Sequence, residues 1–114
     1  MLTTDEQKSL HILGYLYFRM GLYEKAERLL KALLEVTENN PYDVSVFALL
    51  ASVSILQKNG AAALEYLENV FDGNVLTGRK VIYYLLKAQA LFLENRGDEA
   101  KNMLDMYLLY KGNK

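Results

Sequence analysis

Cysteine is absent from this chain of 114 residues, and proline occurs only once, at Pro41. Without thiols there can be no disulfide bond and no thiolate metal site, and such a chain suits a reducing cytosol. The scarcity of proline, together with very little strand-like alternation of apolar and polar residues, predicts helix along most of the chain.

An excess of charge is absent as well. Thirteen Lys and Arg residues stand against fourteen Asp and Glu residues, for a formal net charge of −1. The basic residues are scattered, so we expect no nucleic-acid partner. The first residues, MLTTDEQK, lack the features of a secretory signal, and the apolar windows are too short to span a bilayer or contain Lys87. We therefore expect one soluble, cytoplasmic domain over residues 1–114, without membrane insertion.

A catalytic or metal-binding constellation is also missing from the sequence. His11 is the only histidine, so it has no second histidine or cysteine with which to share a metal ion. The segment GNVLTGRK, residues 73–80, comes near a phosphate-binding loop. However, Arg79 and Lys80 replace the required Lys-Ser/Thr pair, and a helical pattern precedes the loop instead of a strand. We expect a connector ending in a helix cap at Thr77, and we predict no enzyme activity and no cofactor.

A repeat with a period of 37 residues organises the chain. Residues of matching character recur at this step in three copies: Ala26, Ala63 and Ala100; Gly14, Ala51 and Ala88; Leu30, Leu67 and Leu104; Leu10, Phe47 and Tyr84; Leu33, Val70 and Tyr107. Two positions fit least well: Lys87, where the other copies carry Leu13 and Leu50, and Ser54, where they carry Tyr17 and Leu91. Since one copy cannot bury both of its faces, stacking of the copies is expected to create a continuous core.

Each copy has the pattern of two helices joined by a turn that contains a glycine, in FRMGLYEKA, QKNGAAA and ENRGDEA. The pattern predicts three helical hairpins over residues 5–37, 41–72 and 77–111. A capping box of Thr4 and Gln7 is expected to begin the first helix, and Asn40 followed by Pro41 the third. Gly14 and Ala26 are predicted where the two helices of the first hairpin approach most closely.

These positions resemble the tetratricopeptide-repeat family. The matching residues are Leu10, Leu13, Gly14, Tyr17, Gly21, Ala26 and Leu30 in the first copy, Phe47, Leu50, Ala51, Ala63 and Leu67 in the second, and Tyr84, Ala88, Ala100 and Leu104 in the third. The period is about three residues longer than the usual 34. The resemblance implies an all-α fold of three tandem hairpins forming a short right-handed α-solenoid, with the first helices lining a concave groove.

The resemblance also implies which residues face that groove: Lys8, His11, Tyr15, Phe18, Ala48, Ser52, Ile55, Ile82, Leu85, Gln89 and Phe92. Tyr15, Phe18 and Phe92 are the expected anchors for an amphipathic helix or an extended apolar segment of a partner protein. Alternatively, Ile55, Leu85 and Phe92 pack between repeats. Only Lys8 matches the positions with which other family members clamp a carboxylate, so the C-termini of chaperones are disfavoured as ligands.

The C-terminal segment MLDMYLLYKGNK carries more apolar side chains than one buried stripe can use. We expect some of them to form an exposed interface for a partner or a second copy. The candidate residues are Met106, Leu109 and Tyr110.

Two longer segments, LGYLYFRMGLYEKAERLLKALLEV and KAQALFLENRGDEAKNML, resemble the YscY (SctY) family of bacterial type III secretion chaperones, as does the length of the chain. The resemblance implies a cytoplasmic protein that holds an early export substrate of the YscX (SctX) type in a heterodimer linked to the export gate, with a homodimer as the form without the partner. Two alternatives stay open: a chaperone for translocator or needle subunits, and a generic repeat adaptor. An enzyme would require GNVLTGRK to bind a nucleotide.

Overall fold

A computed structural model describes residues 3–36 and 43–112 of the chain. Within these residues it contains six α-helices: α1 (Thr4–Arg19), α2 (Tyr23–Val36), α3 (Asp43–Leu56), α4 (Gly60–Phe71), α5 (Ile82–Leu93) and α6 (Gly97–Lys111). A short 3-10 helix, η1 (Gly78–Val81), precedes α5. The predicted all-helical character is confirmed.

The helices pack pairwise in sequence as three hairpins. The pairs α1 and α2, α3 and α4, and α5 and α6 are in contact, and each hairpin meets the next through α2 with α3 and α4 with α5. The first helices also contact one another, α1 with α3 and α3 with α5. The result is an elongated body of 42 × 30 × 22 Å. Its winding into a right-handed solenoid with a groove stays a prediction.

The turns inside the hairpins repeat at the predicted period. The first helices end at residues 19, 56 and 93, and the second helices begin at residues 23, 60 and 97, each two steps of 37 residues. After each first helix one residue takes a positive φ: 79° at Gly21, 63° at Lys58 and 59° at Asn95. In all three turns the amide of the next residue donates to a carbonyl five residues earlier, from Leu22 to Tyr17, Asn59 to Ser54 and Arg96 to Leu91. This is the Schellman motif, which satisfies the last carbonyls of a helix.

The glycines of the second and third turns do not make the turn. The predicted turns contain Gly60 and Gly97, yet the left-handed residues are Lys58 and Asn95. Gly60 and Gly97 instead open α4 and α6. Only in the first hairpin does a glycine, Gly21, occupy the left-handed position.

The predicted N-terminal caps also need correction. The capping box of α1 is formed by Thr3 and Glu6, one residue before the predicted Thr4 and Gln7. Thr3 has the extended backbone that a cap requires, and its hydroxyl accepts from the Glu6 amide at 3.1 Å. Thr77 does precede η1, but its side chain makes no capping hydrogen bond. The predicted cap at Asn40 and Pro41 lies outside the described residues.

Small residues line the helix contacts at the repeated positions. Gly14 is buried in α1, and a methyl group added there would lie 2.7 Å from Cδ2 of Leu30, four residues after the predicted neighbour Ala26. Ala51, Ala63, Ala88 and Ala100 are buried as well. The two poorly fitting positions are accommodated: the buried Ser54 hydroxyl donates to the Leu50 carbonyl at 3.0 Å, and Lys87 Nζ lies 4.8 Å from the centre of the Phe71 ring.

Two clusters form most of the core. The first core cluster joins the first hairpin to α3 and consists of Ala26, Leu30, Leu33, Val46, Leu50 and Val53. The second core cluster joins α3 and α4 to η1 and α5 and consists of Ala48, Ala51, Ala63, Leu67, Val70, Phe71, Leu76, Val81, Tyr84 and Ala90. The hairpins therefore share their cores with their neighbours, as stacked repeats do.

Candidate protein-binding surface

The candidate groove residues all lie on the first helices, α1, α3 and α5, but they differ in exposure. Five side chains are exposed: Lys8, Tyr15, Ile82, Gln89 and Phe92. Five are half-buried: His11, Phe18, Ser52, Ile55 and Leu85. Ala48 is buried in the second core cluster and offers almost no surface to a partner.

Two of the half-buried candidates pack on the core. Phe18 lies against the first core cluster, and its ring centre is 6.3 Å from that of Tyr23. Ile55 lies against the second core cluster, where α3 meets α5. Since their removal would open space in these clusters, both side chains contribute to folding.

Phe92 stands at the same repeat position as Phe18 and Ile55, 37 residues after Ile55, yet it is 56% exposed. The reason is its place in the last described hairpin. Ile55, the α3 residue at this position, lies against the second core cluster, to which α5 contributes. No further first helix follows α5 among the described residues, so no such cluster covers Phe92. Phe92 is therefore the largest apolar side chain that the first helices leave open to a partner.

Polar groups accompany these apolar side chains on α1. Arg19 Nη1 donates to the Tyr15 hydroxyl at 3.4 Å, and the guanidinium carbon lies 5.9 Å from the centre of the Tyr15 ring. The partial burial of His11 lowers the pKa of its imidazole. In α3 the Ser52 hydroxyl donates to the Ala48 carbonyl at 3.0 Å. The exposed side of the first helices thus combines aromatic, aliphatic and basic side chains.

The candidate C-terminal surface is divided in the same way. Tyr110 is half-buried and stacks on Tyr84 with 5.9 Å between the ring centres, and Met106 lies against the second core cluster. Leu109 is exposed, and so is Leu108, which the sequence pattern did not single out. Nearby, a cleft of about 400 Å³ is lined by η1, the start of α5 and the end of α6, including Ile82 and Tyr107.

Sequence reasoning missed a second group of exposed apolar residues. These are Ile12, Leu13 and Leu16 on α1, Met20 directly after α1, and Leu56 at the end of α3. A signal was present, because α1 carries apolar residues around its whole circumference, more than one buried face requires. The structure buries only one side of α1, so the apolar residues on its other side stay exposed.

The loop that comes near a phosphate-binding motif uses its amides within the chain. The Leu76 N–H donates to the Tyr84 hydroxyl at 3.0 Å, and the Asn74 N–H donates to the Phe71 carbonyl at 2.8 Å. A phosphate cradle requires such amides to point at the ligand. Among residues 3–36 and 43–112, no group of three His, Cys, Asp or Glu side chains could hold a metal ion, and no helix is long and apolar enough to cross a membrane.

Comparisons of the chain with protein-family models, curated proteins and solved structures find no match.

Proposed function

We propose that this protein is a helical-repeat chaperone that binds one small protein on the exposed side of its first helices. The observation that carries the proposal is the set of large apolar side chains left open there, above all Phe92 and Ile82, which are 56% and 52% exposed. Exposed apolar groups are unfavourable in water, and a protein partner that covers them recovers that free energy.

The mixture of groups on this side supports a helical or extended apolar partner. Aromatic side chains such as Tyr15 and Phe92 give large contact areas at low entropic cost, while Lys8 and Arg19 supply positive charge that favours acidic residues beside the apolar ones. The superhelical winding expected from the repeats would curve this side into a groove around the ligand.

Within this class we propose a chaperone of the YscY (SctY) kind, acting in the bacterial cytoplasm. Its partner would be a small export substrate of the YscX (SctX) type, held in a heterodimer until it is delivered to the export gate. When two proteins bind each other only in their folded states, formation of the complex stabilises both folds by mass action. This stabilisation is the physical basis of such chaperoning. A needle or translocator subunit is the alternative cargo for the same surface.

The test is to purify the tagged protein from its native bacterium and to identify what remains bound. We expect one small protein to remain bound in a fixed ratio to the tagged chain. Co-expression of the two proteins should reconstitute the complex. Phe92→Asp should weaken binding by at least about tenfold, the usual loss at an interface anchor, while circular dichroism stays helical because Phe92 is exposed.

Val75→Asp is the matched control, since Val75 is equally exposed at 57% but lies in the loop before η1. Binding that survives Phe92→Asp, or that is lost equally with Val75→Asp, would contradict the assignment of the surface. The identity of the cargo separates the export substrate from needle and translocator subunits. Thermal stabilisation by ATP or GTP would instead favour the enzyme alternative.

A further inference from the structure

An apolar stripe runs along the side of α1 that faces away from the core. It consists of Ile12, Leu13 and Leu16 and continues to Met20, the residue that caps the helix; the four are 57%, 37%, 47% and 68% exposed. Spacings of three and four residues place these side chains on one face of the helix. We call this set the N-terminal stripe.

Two of these four repeat positions are fully covered in α3, while the counterparts of Ile12 and Met20 are the half-buried Leu49 and the exposed Gln57. Leu50 and Val53 of α3, which stand 37 residues after Leu13 and Leu16, are fully buried in the first core cluster. They lie in the same cluster as Ala26, Leu30 and Leu33 of α2. The internal repeat therefore indicates that a helix is the shape that fits over these positions.

The charged residues on either side of the N-terminal stripe favour α1 of a second copy as the helix that packs over it. Asp5 and Arg19 lie seven residues before and after Ile12, two helical turns or about 10.5 Å in each direction, on the same side as Ile12. If two α1 helices pack antiparallel about a two-fold axis at Ile12, each Asp5 lies opposite Arg19 of the second copy. A surface of this kind is self-complementary, as a two-fold interface requires.

The outer side of α6 is a poorer match for the stripe. It presents the exposed charged residues Lys101 and Asp105 beside Leu108. A contact between α6 of one copy and α1 of another would also be heterologous, and repetition of such a contact forms rings or open chains of molecules. The reciprocal α1 contact closes on itself.

We propose that two copies of this chain pair through the N-terminal stripe, with their α1 helices antiparallel and Ile12 at the two-fold axis. The apolar stripe is separate from the candidate cargo residues, and the two surfaces meet at Arg19, which also contacts Tyr15. One helix from each copy forms the contact, so its area falls in the range of weak, reversible interfaces. The dimer should therefore depend on protein concentration and, through the Asp5 and Arg19 pairs, on salt.

Sedimentation velocity of the purified full chain between about 1 μM and about 500 μM measures this equilibrium. The wild type should shift from monomer to dimer over this range. Ile12→Glu places two carboxylates at the axis and should weaken association by at least about thirtyfold, as loss of a central anchor does. Val75→Glu, equally exposed at 57% but in the loop before η1, should associate like the wild type.

Charge exchange tests the antiparallel register. Asp5→Arg and Arg19→Asp should each weaken self-association, because each opposes like charges at both ends of the contact. An equimolar mixture of the two variants should restore dimers, since every pair is again attractive. Ile12→Ser provides a neutral disruption of the axis, and circular dichroism checks that each variant is folded.

A wild type that is monomeric at every concentration would overturn the proposal, as would a dimer that survives both Ile12→Glu and Ile12→Ser. A dimer lost with these variants but not restored by mixing Asp5→Arg with Arg19→Asp would overturn the antiparallel arrangement. A partner protein that binds the stripe while the wild type alone stays monomeric would also refute pairing of copies.

Discussion

Gly60 and Gly97 occupy the same repeat position, the first residue of α4 and of α6, but have opposite surroundings. A methyl group on Gly60 would lie 2.7 Å from the carbonyl oxygen of Ala90 and 2.9 Å from Cβ of Leu93, both on α5. A methyl group on Gly97 would meet nothing within 4 Å. The difference arises because α4 packs on the next first helix, whereas α6 has no described first helix beyond it.

We therefore expect Gly60→Ala to destabilise the fold and Gly97→Ala to stabilise it slightly. Overpacking costs about 1–3 kcal/mol, and the clash at Gly60 involves backbone, which cannot move away as a side-chain end can. Alanine recovers up to about 1 kcal/mol of helix propensity at either site. Because the backbone cannot yield, we take the upper part of the overpacking range, about 2–3 kcal/mol. The net result is a loss of about 1–2 kcal/mol for Gly60→Ala, against a gain of up to about 1 kcal/mol for Gly97→Ala.

Urea unfolding followed by circular dichroism measures both free energies of unfolding, provided the slopes with urea concentration stay equal. Thermal melts give a second reading, since 1 kcal/mol shifts the Tm of a domain of this size by about 4 °C. The two variants serve as controls for each other, because the substitution and the repeat position are the same. A Gly60→Ala protein as stable as the wild type, or equal destabilisation by Gly97→Ala, would refute the close packing of α4 on α5.

Two further predictions concern single contacts. Lys58→Gly should raise the free energy of unfolding by about 1 kcal/mol, because Lys58 holds a φ of 63° that glycine adopts without strain. Gln57→Gly, one residue earlier and without a positive φ, should lower it. Equal effects of the two substitutions in urea unfolding would contradict the left-handed turn. Tyr84→Phe should cost about 1–3 kcal/mol in the same assay, because it leaves the buried Leu76 N–H without its acceptor. A neutral Tyr84→Phe would count against that hydrogen bond.

The period of 37 residues was visible in the sequence because the same helix contacts recur at this step, and each contact restricts the size of the side chain there. Ala26, Ala63 and Ala100 are fully buried, and only a small side chain suits such a helix contact. The same step relates the hydrogen bonds of all three turns. Hairpin number, helix order and the approximate boundaries therefore follow from local pattern and spacing.

The turn residues were harder to predict, because more than one residue type can take a left-handed conformation. Glycine is preferred there, which drew attention to Gly60 and Gly97, but Lys58 and Asn95 adopt that conformation in this chain. The cap of α1 was ambiguous for a similar reason. Thr3 with Glu6 and Thr4 with Gln7 both fit the spacing of a capping box, and only the backbone conformation distinguishes them.

Exposure of the candidate binding residues depends on the neighbours of each hairpin and not on the residues themselves. Phe18, Ile55 and Phe92 share one repeat position, yet the first two pack on the core clusters and the third is open. In the same way, Leu13 and Leu16 are exposed where their repeat partners Leu50 and Val53 are buried.

Local spacing along the chain was enough to establish an all-helical array of three hairpins, because helix periodicity and the size of contact residues are properties of nearby sequence. Which apolar side chains remain available was decided by tertiary structure alone. Burial depends on whether another helix packs over a position. The three first helices share one sequence pattern, but α3 lies between two neighbouring hairpins, whereas α1 and α5 each have a hairpin on one side only.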